Sequence, residues 1–218
     1  MAEMRTEEEQ IEAIKQWWKK NGSSLLIGVG LALAIVFGWQ AWQNHQANAQ
    51  AEAAADFAEL MRQAQQGGDT EEDRESVAYL ANQVREEHGG TTYAVYAMLI
   101  LANQQMMADG DPAAAAETLQ WALEQAGNSE ALSLVVRTRL ARAQYGAGQY
   151  DDALATVRGA DDNGAFEGIL AELEGDILIA SGDTDAARDA YIRARDSGEA
   201  GIGLLQRKLD SLGIGSDA

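Results

Sequence analysis

Apolar positions recur at helical spacing along most of this chain, except in one stretch where charged residues stop altogether. No Asp, Glu, Lys or Arg occurs between Asn21 and Ala51, and Leu25–Trp39 is an unbroken run of apolar residues and glycine. The uncharged core Ser23–Trp42 holds 20 residues. At about 1.5 Å per helical residue it reaches roughly 30 Å, the hydrocarbon thickness of a bilayer. Trp17 and Trp18 precede the run and Trp39 and Trp42 close it, so four of the five tryptophans fall where amphipathic rings settle at a membrane interface. The pattern predicts a transmembrane helix over residues 23–43, with the lipid bilayer as its first partner. Within it, Gly30, Ala34 and Gly38 recur every fourth residue on one helix face, a small-residue spacing that lets a second helix approach closely.

The flanks set the orientation. Lys15, Lys19 and Lys20 lie on the N-terminal side, and no Lys or Arg follows the span until Arg62. The positive-inside rule then places residues 1–22 in the cytoplasm and 44–218 on the far side, the periplasm of a diderm bacterium. Thr6 and Glu9 read as a capping box, with Ile11, Ile14 and Trp18 at helical spacing, so the first segment reads as an amphipathic helix on the inner face. A cleaved signal is the competing reading, because Ala47-Asn48-Ala49 and Ala49-Gln50-Ala51 resemble cleavage sites. Against it stand the long apolar run, the five acidic residues that precede it and the tryptophans at its exit. A soluble secreted repeat protein would begin near residue 50.

Beyond the span almost nothing alternates with period two, and alanine, leucine, glutamate and arginine are punctuated by glycine. This predicts helices with glycine at their ends. The anchor helix should continue to about Gln66, with a charged loop through Asp69–Arg74 and another helix over about Glu75–Glu87. An internal repeat follows. Gly148 and Gly182 lie 34 residues apart, and the same offset superposes Ala153 on Ala187, Val157 on Tyr191 and Ala160 on Ala194. A third copy, Gly110 with Ala115, Leu119 and Ala122, lies 38 residues before the second, its extra residues housed near Gly127–Ser129. A turn glycine followed by small residues at this period is the tetratricopeptide pattern: glycine allows the tight turn and the small residues let paired helices close up. Each pair leaves an apolar face that only the next pair can cover. Pairs are expected at about 95–126, 134–160 and 168–195, with Leu204, Leu205, Leu209 and Leu212 on a capping helix. The fold class is all-α: one N-terminal transmembrane helix, then a tetratricopeptide-like helical-hairpin solenoid over 44–218.

Composition narrows what such a solenoid does. The chain of 218 residues carries 35 acids against 16 bases, a net charge of −19, and no cysteine. Before Leu25 there are five acids and four bases, so nearly all the negative charge belongs to the exported part. That excludes nucleic acid as a partner, since phosphate binding needs clustered Lys and Arg. Missing cysteine excludes disulfides, thiolate metal sites and a cysteine nucleophile. His45 and His88 show no metal-ligand spacing and read as exposed structural residues. Acid pairs such as Asp151-Asp152 and Asp161-Asp162 lie in or beside turns, where solvation or a helix N-terminus accounts for them. No enzyme activity, metal or cofactor is expected.

Several separated motifs resemble one family. Thr6-Glu7-Glu8-Glu9-Gln10-Ile11-Glu12-Ala13-Ile14-Lys15, Trp17-Trp18 and Gly38-Trp39-Gln40-Ala41-Trp42 resemble the YfgM family. So do Thr92-Tyr93-Ala94, Trp121-Ala122-Leu123, Arg137-Thr138-Arg139-Leu140-Ala141-Arg142 and Gln206-Arg207-Lys208-Leu209-Asp210. The resemblance implies a bitopic inner-membrane protein with a periplasmic tetratricopeptide-like domain. It also implies an ancillary subunit of the SecYEG translocon that pairs with the membrane-anchored chaperone PpiD. The alternative is an envelope-assembly scaffold unrelated to secretion, such as a cell-division or cytochrome-maturation adaptor.

Partner contacts are expected on the concave face, lined by the first helix of each pair. Repeat phase puts Gln104 and Met107 there in the first pair, Thr138, Arg142 and Tyr145 in the second, and Glu172, Asp176 and Ile179 in the third. These do not form the Lys and Asn cluster that clamps a terminal carboxylate. A broad groove for a folded partner or a nonnative secretory protein is the expectation.

Overall fold

The first helix runs far beyond the apolar stretch that predicts it. In the computed structural model, which describes residues 7–67, 70–127, 129–159, 164–198 and 202–213, α1 spans Glu7–Gln66. It is followed by α2 (Glu71–His88), α3 (Thr92–Met107), α4 (Pro112–Gln125), α5 (Glu130–Gly146), α6 (Tyr150–Arg158), α7 (Glu167–Ser181), α8 (Thr184–Ser197) and α9 (Ile202–Ser211). No strand occurs among the described residues. The chain divides into two compact units, residues 1–51 and 52–218. The first unit is the membrane-type segment of α1, whose described large hydrophobic side chains are exposed.

The second unit is a row of helices, each packed chiefly on its neighbours in sequence from α2 to α9. The three repeat glycines explain how the row folds. Gly110, Gly148 and Gly182 all have positive φ (66°, 75° and 92°), and each sits two residues before the next helix begins. A Cβ strains this left-handed conformation, so glycine is the residue of choice there. At the last two turns the residue after glycine donates its backbone N–H five positions back, Gln149 to Gln144 and Asp183 to Leu178. This is the Schellman closure. Asp111 and Asp183 then cap α4 and α8 by accepting from the amides of Ala114 and Ala186. Small residues lie where the paired helices meet: Ala115, Ala153, Ala187 and Ala194 are fully buried. Ala160 lies outside the described residues, as does Thr6 of the expected capping box.

Two features differ from expectation. The charged run Asp69–Arg74 is largely not a loop, because α2 already starts at Glu71. Thr70 caps it by accepting from the Asp73 amide, and Glu71, Glu72 and Asp73 form an acidic first turn that the helix dipole favours. In addition, the end of α1 meets α2 ahead of the three repeats, with Asp56 2.8 Å from His88. Leu60 is fully buried with Val77, Ala81 and Val84, in a cluster that runs on to Leu140 of α5. The remaining core continues through Leu134, Ala153, Leu170 and Ile177, and ends on Ala190, Tyr191, Leu205 and Leu209 where α9 caps the row.

Candidate partner-binding site

The first unit offers a membrane surface. One helix is long and apolar enough to span a bilayer. Leu26, Ile35 and Phe37 of this helix stand more than half exposed, unlike the side chains of a soluble core helix. Trp17 and Trp18 at one end and Trp39 and Trp42 at the other are also at least half exposed, and the last two rings lie 5.2 Å apart. Lys19 and Lys20 are exposed beside the first pair. A Cβ added to Gly30 or Gly38 would meet nothing within 4 Å. Gly30 and Gly38, with Ala34 between them, therefore form a strip of small residues whose glycines have no neighbour within 4 Å among the described residues.

In the second unit the eight residues expected on one groove meet different fates. Gln104 donates from Nε2 to the Arg74 carbonyl at 3.1 Å, so its amide is spent holding α3 to α2. Thr138 does not reach the surface: it is 5% exposed, and its hydroxyl donates to the Leu134 carbonyl one turn back. Its phase is correct for the first helix of the pair, but neighbouring helices cover that position. Tyr145 is exposed, with its ring 6.1 Å from that of Tyr150. Glu172 and Asp176 are covered by α9, whose Lys208 ammonium donates to Glu172 Oε1 at 2.7 Å and Asp176 Oδ2 at 2.8 Å. Ile179 remains exposed at the end of α7.

Met107 and Arg142, by contrast, come together. With Leu99, Ala102, Leu119 and Arg139 they line a pocket of about 280 Å³ between α3, α4 and α5. Met107 also borders a second pocket, of about 290 Å³, with Gln104, Val77 and the end of α1. Arg139 was absent from the expected set, although its spacing three residues from Arg142 places both on one face of α5.

The charged groups of the last repeat are structural. Glu174 is 8% exposed and is paired on both oxygens, with Arg158 of α6 and Arg193 of α8, so one carboxylate ties three helices. Burial alone would lower the Lys208 pKa, but its hydrogen bonds to Asp176 and Glu172 prevail and hold it above its ordinary value. Burial, reinforced by donation to Asp176 Oδ1 at 2.8 Å, pushes the Tyr191 phenol well above its ordinary range.

His88 is not exposed as expected. It is half-buried, with Nε2 2.8 Å from Asp56 Oδ2 on α1, and so joins the end of the anchor helix to α2. Ligand atoms of Asp56, Glu87 and His88 lie within 4.8 Å of one another, close enough to converge on a cation. The His88–Asp56 hydrogen bond already occupies two of these donors, and Glu87 points to solvent.

Comparison with known proteins completes the picture. The family description of the tetratricopeptide repeat-like domain matches residues 15–214. A Haemophilus influenzae protein named ancillary SecYEG translocon subunit is 34% identical over 198 residues, which cover 91% of this chain and 93% of its own length. Proteins of the same name from Aggregatibacter actinomycetemcomitans and Escherichia coli are 32% and 30% identical, each covering at least 95% of this chain and 97% of its own. No solved structure matches the chain.

Proposed function

The chain belongs to the YfgM family of ancillary SecYEG translocon subunits, and we propose that it serves the translocon from within the membrane. It is held by one span, with residues 1–22 in the cytoplasm and the repeat domain in the periplasm. The repeats hold a PpiD-like chaperone or an emerging secretory protein beside the channel exit. The role is that of a scaffold, without catalysis.

The observation that carries this reading is similarity running through the apolar span as well as the repeats, from end to end of proteins named for that complex. Lys15, Lys19 and Lys20, with no base after the span until Arg62, support the orientation. The exposed faces of Met107, Arg142 and Tyr145 support a binding surface on the repeats. Tethering supplies the mechanism. A groove of modest affinity fixed beside the exit site meets its ligand at high effective concentration, so weak contacts suffice.

Photocrosslinking residues placed at Met107, Tyr145 and Ile179 in the full-length chain test this in cells. Capture of SecYEG components together with a periplasmic chaperone or secretory chains is the expected result. Capture of division or cytochrome-maturation proteins instead would transfer the chain to envelope assembly.

A further inference from the structure

The exported part is strongly acidic, and its few cations are almost all spoken for. Arg62, Arg74, Arg158, Arg188, Arg193, Arg195 and Lys208 face carboxylates. Arg137 donates to the Thr156 carbonyl, and Arg85 lies over the Trp121 ring. Arg207 of α9 is exposed and stands alone, whereas Arg139 and Arg142, which among the described residues have neither a carboxylate nor a carbonyl partner, are both exposed on α5. They stand together at the rim of one pocket. No carboxylate lines that pocket, although 35 of the 218 residues are acidic.

Beneath the two guanidiniums the floor is apolar. Leu99, Ala102 and Leu119 are core residues with one side turned to the opening. Met106 and Met107 form the wall, and Met107 is 78% exposed. Methionine is flexible and polarisable, so such a wall adapts to apolar side chains of different shape. At about 280 Å³ the pocket falls just below the usual range of small-molecule sites, roughly 300–1,000 Å³. It suits one or two side chains.

We propose that this pocket receives an acidic, amphipathic segment of a partner polypeptide, with an apolar side chain against Leu99, Leu119 and the methionines and a neighbouring carboxylate on Arg139 and Arg142. Guanidinium forks match carboxylates in geometry as well as charge. The net charge of −19 decides between anionic partners: a polyanion or an anionic membrane is repelled by the surrounding surface, whereas a short segment presents one or two carboxylates to two guanidiniums on a pocket that no acid lines. This deepens the groove reading above by naming what one part of the groove selects.

The test uses the full-length chain in nanodiscs of phosphatidylcholine, a zwitterionic lipid without net charge. The probe is a short fluorescein-labelled helical peptide with two leucines one turn apart and two glutamates beside them, compared with its glutamine twin by anisotropy. The glutamate peptide should bind about tenfold more tightly than its twin, a preference that falls with added salt. R139Q/R142Q should abolish the preference while leaving the thermal transition in place, since both side chains are exposed, and R139K/R142K should keep part of it. Equal binding of the two peptides, or an undiminished preference in R139Q/R142Q, overturns the proposal. So does displacement of the peptide by phosphatidylglycerol vesicles that depends on the two arginines, which would make the pocket a lipid site. Recovery of SecYEG with the same variants separates the two readings: if wild type recovers no translocon, the family role fails, whatever the peptide does.

Discussion

Gly175 of α7 lies against the ring of Tyr191 on α8, so close that a Cβ on the glycine would sit 2.4 Å from Tyr191 Cε1. One repeat earlier, 34 positions upstream, the same pair is Ala141 and Val157, both buried in one cluster. Volume has moved across the helix interface: the last repeat gives up a methyl on one helix to admit an aromatic ring on the other. The ring then reaches Asp176 with its hydroxyl at 2.8 Å.

The exchange makes G175A costly. Overpacking of a filled core costs about 1–3 kcal/mol, and a rigid ring edge gives way less readily than a flexible side chain, so the loss should fall near the upper end. Adding Y191V, which restores the pairing of the preceding repeat, should recover part of the stability that G175A removes. Urea unfolding of the single and double variants measures both, and strictly additive losses would contradict the packing account.

Alkaline pH should loosen the end of the solenoid. Tyr191 and Lys208 both have folded-state pKa values raised above the ordinary 10.0 and 10.5. The folded chain therefore keeps protons that the unfolded chain releases, and stability falls as pH rises through and beyond those values. Below them the stabilisation is complete. Thermal midpoints between about pH 8 and pH 11 should decline in wild type and decline less steeply in Y191F and K208Q. Parallel slopes for all three proteins would place the alkaline sensitivity elsewhere.

The bare strip of the span gives a third expectation. G30I/G38I adds β-branched side chains where nothing now lies within 4 Å, and isoleucine is as acceptable to lipid as glycine. Insertion should be unchanged while recovery of SecYEG falls several-fold, because a second helix could no longer approach the strip closely. Equal recovery from detergent extracts would assign the contact to another surface.

Much of the architecture was legible before any fold was known. Charge-free length, flanking tryptophans and the period of 34 are local or periodic properties, and the helices they predict agree with α3 to α8 within a few residues. The start of α2 was misjudged because Glu71, Glu72 and Asp73 resemble a solvated loop until Thr70 is seen to cap them. Among the groove residues, Gln104, Thr138 and Glu172 share one repeat phase. One is tied to α2, one is buried and one is covered by α9.

The sequence alone therefore determined the membrane span, the all-helical class and the repeat phase, since these depend on hydrophobicity and helical period along one stretch of chain. Only the tertiary structure decided which members of that phase stay open, that α9 folds over the third repeat, and that Arg139 and Arg142 share an acid-free pocket. The physical reason is that a helical period fixes where a side chain points around its own axis, whereas what covers that direction is supplied by helices distant in sequence.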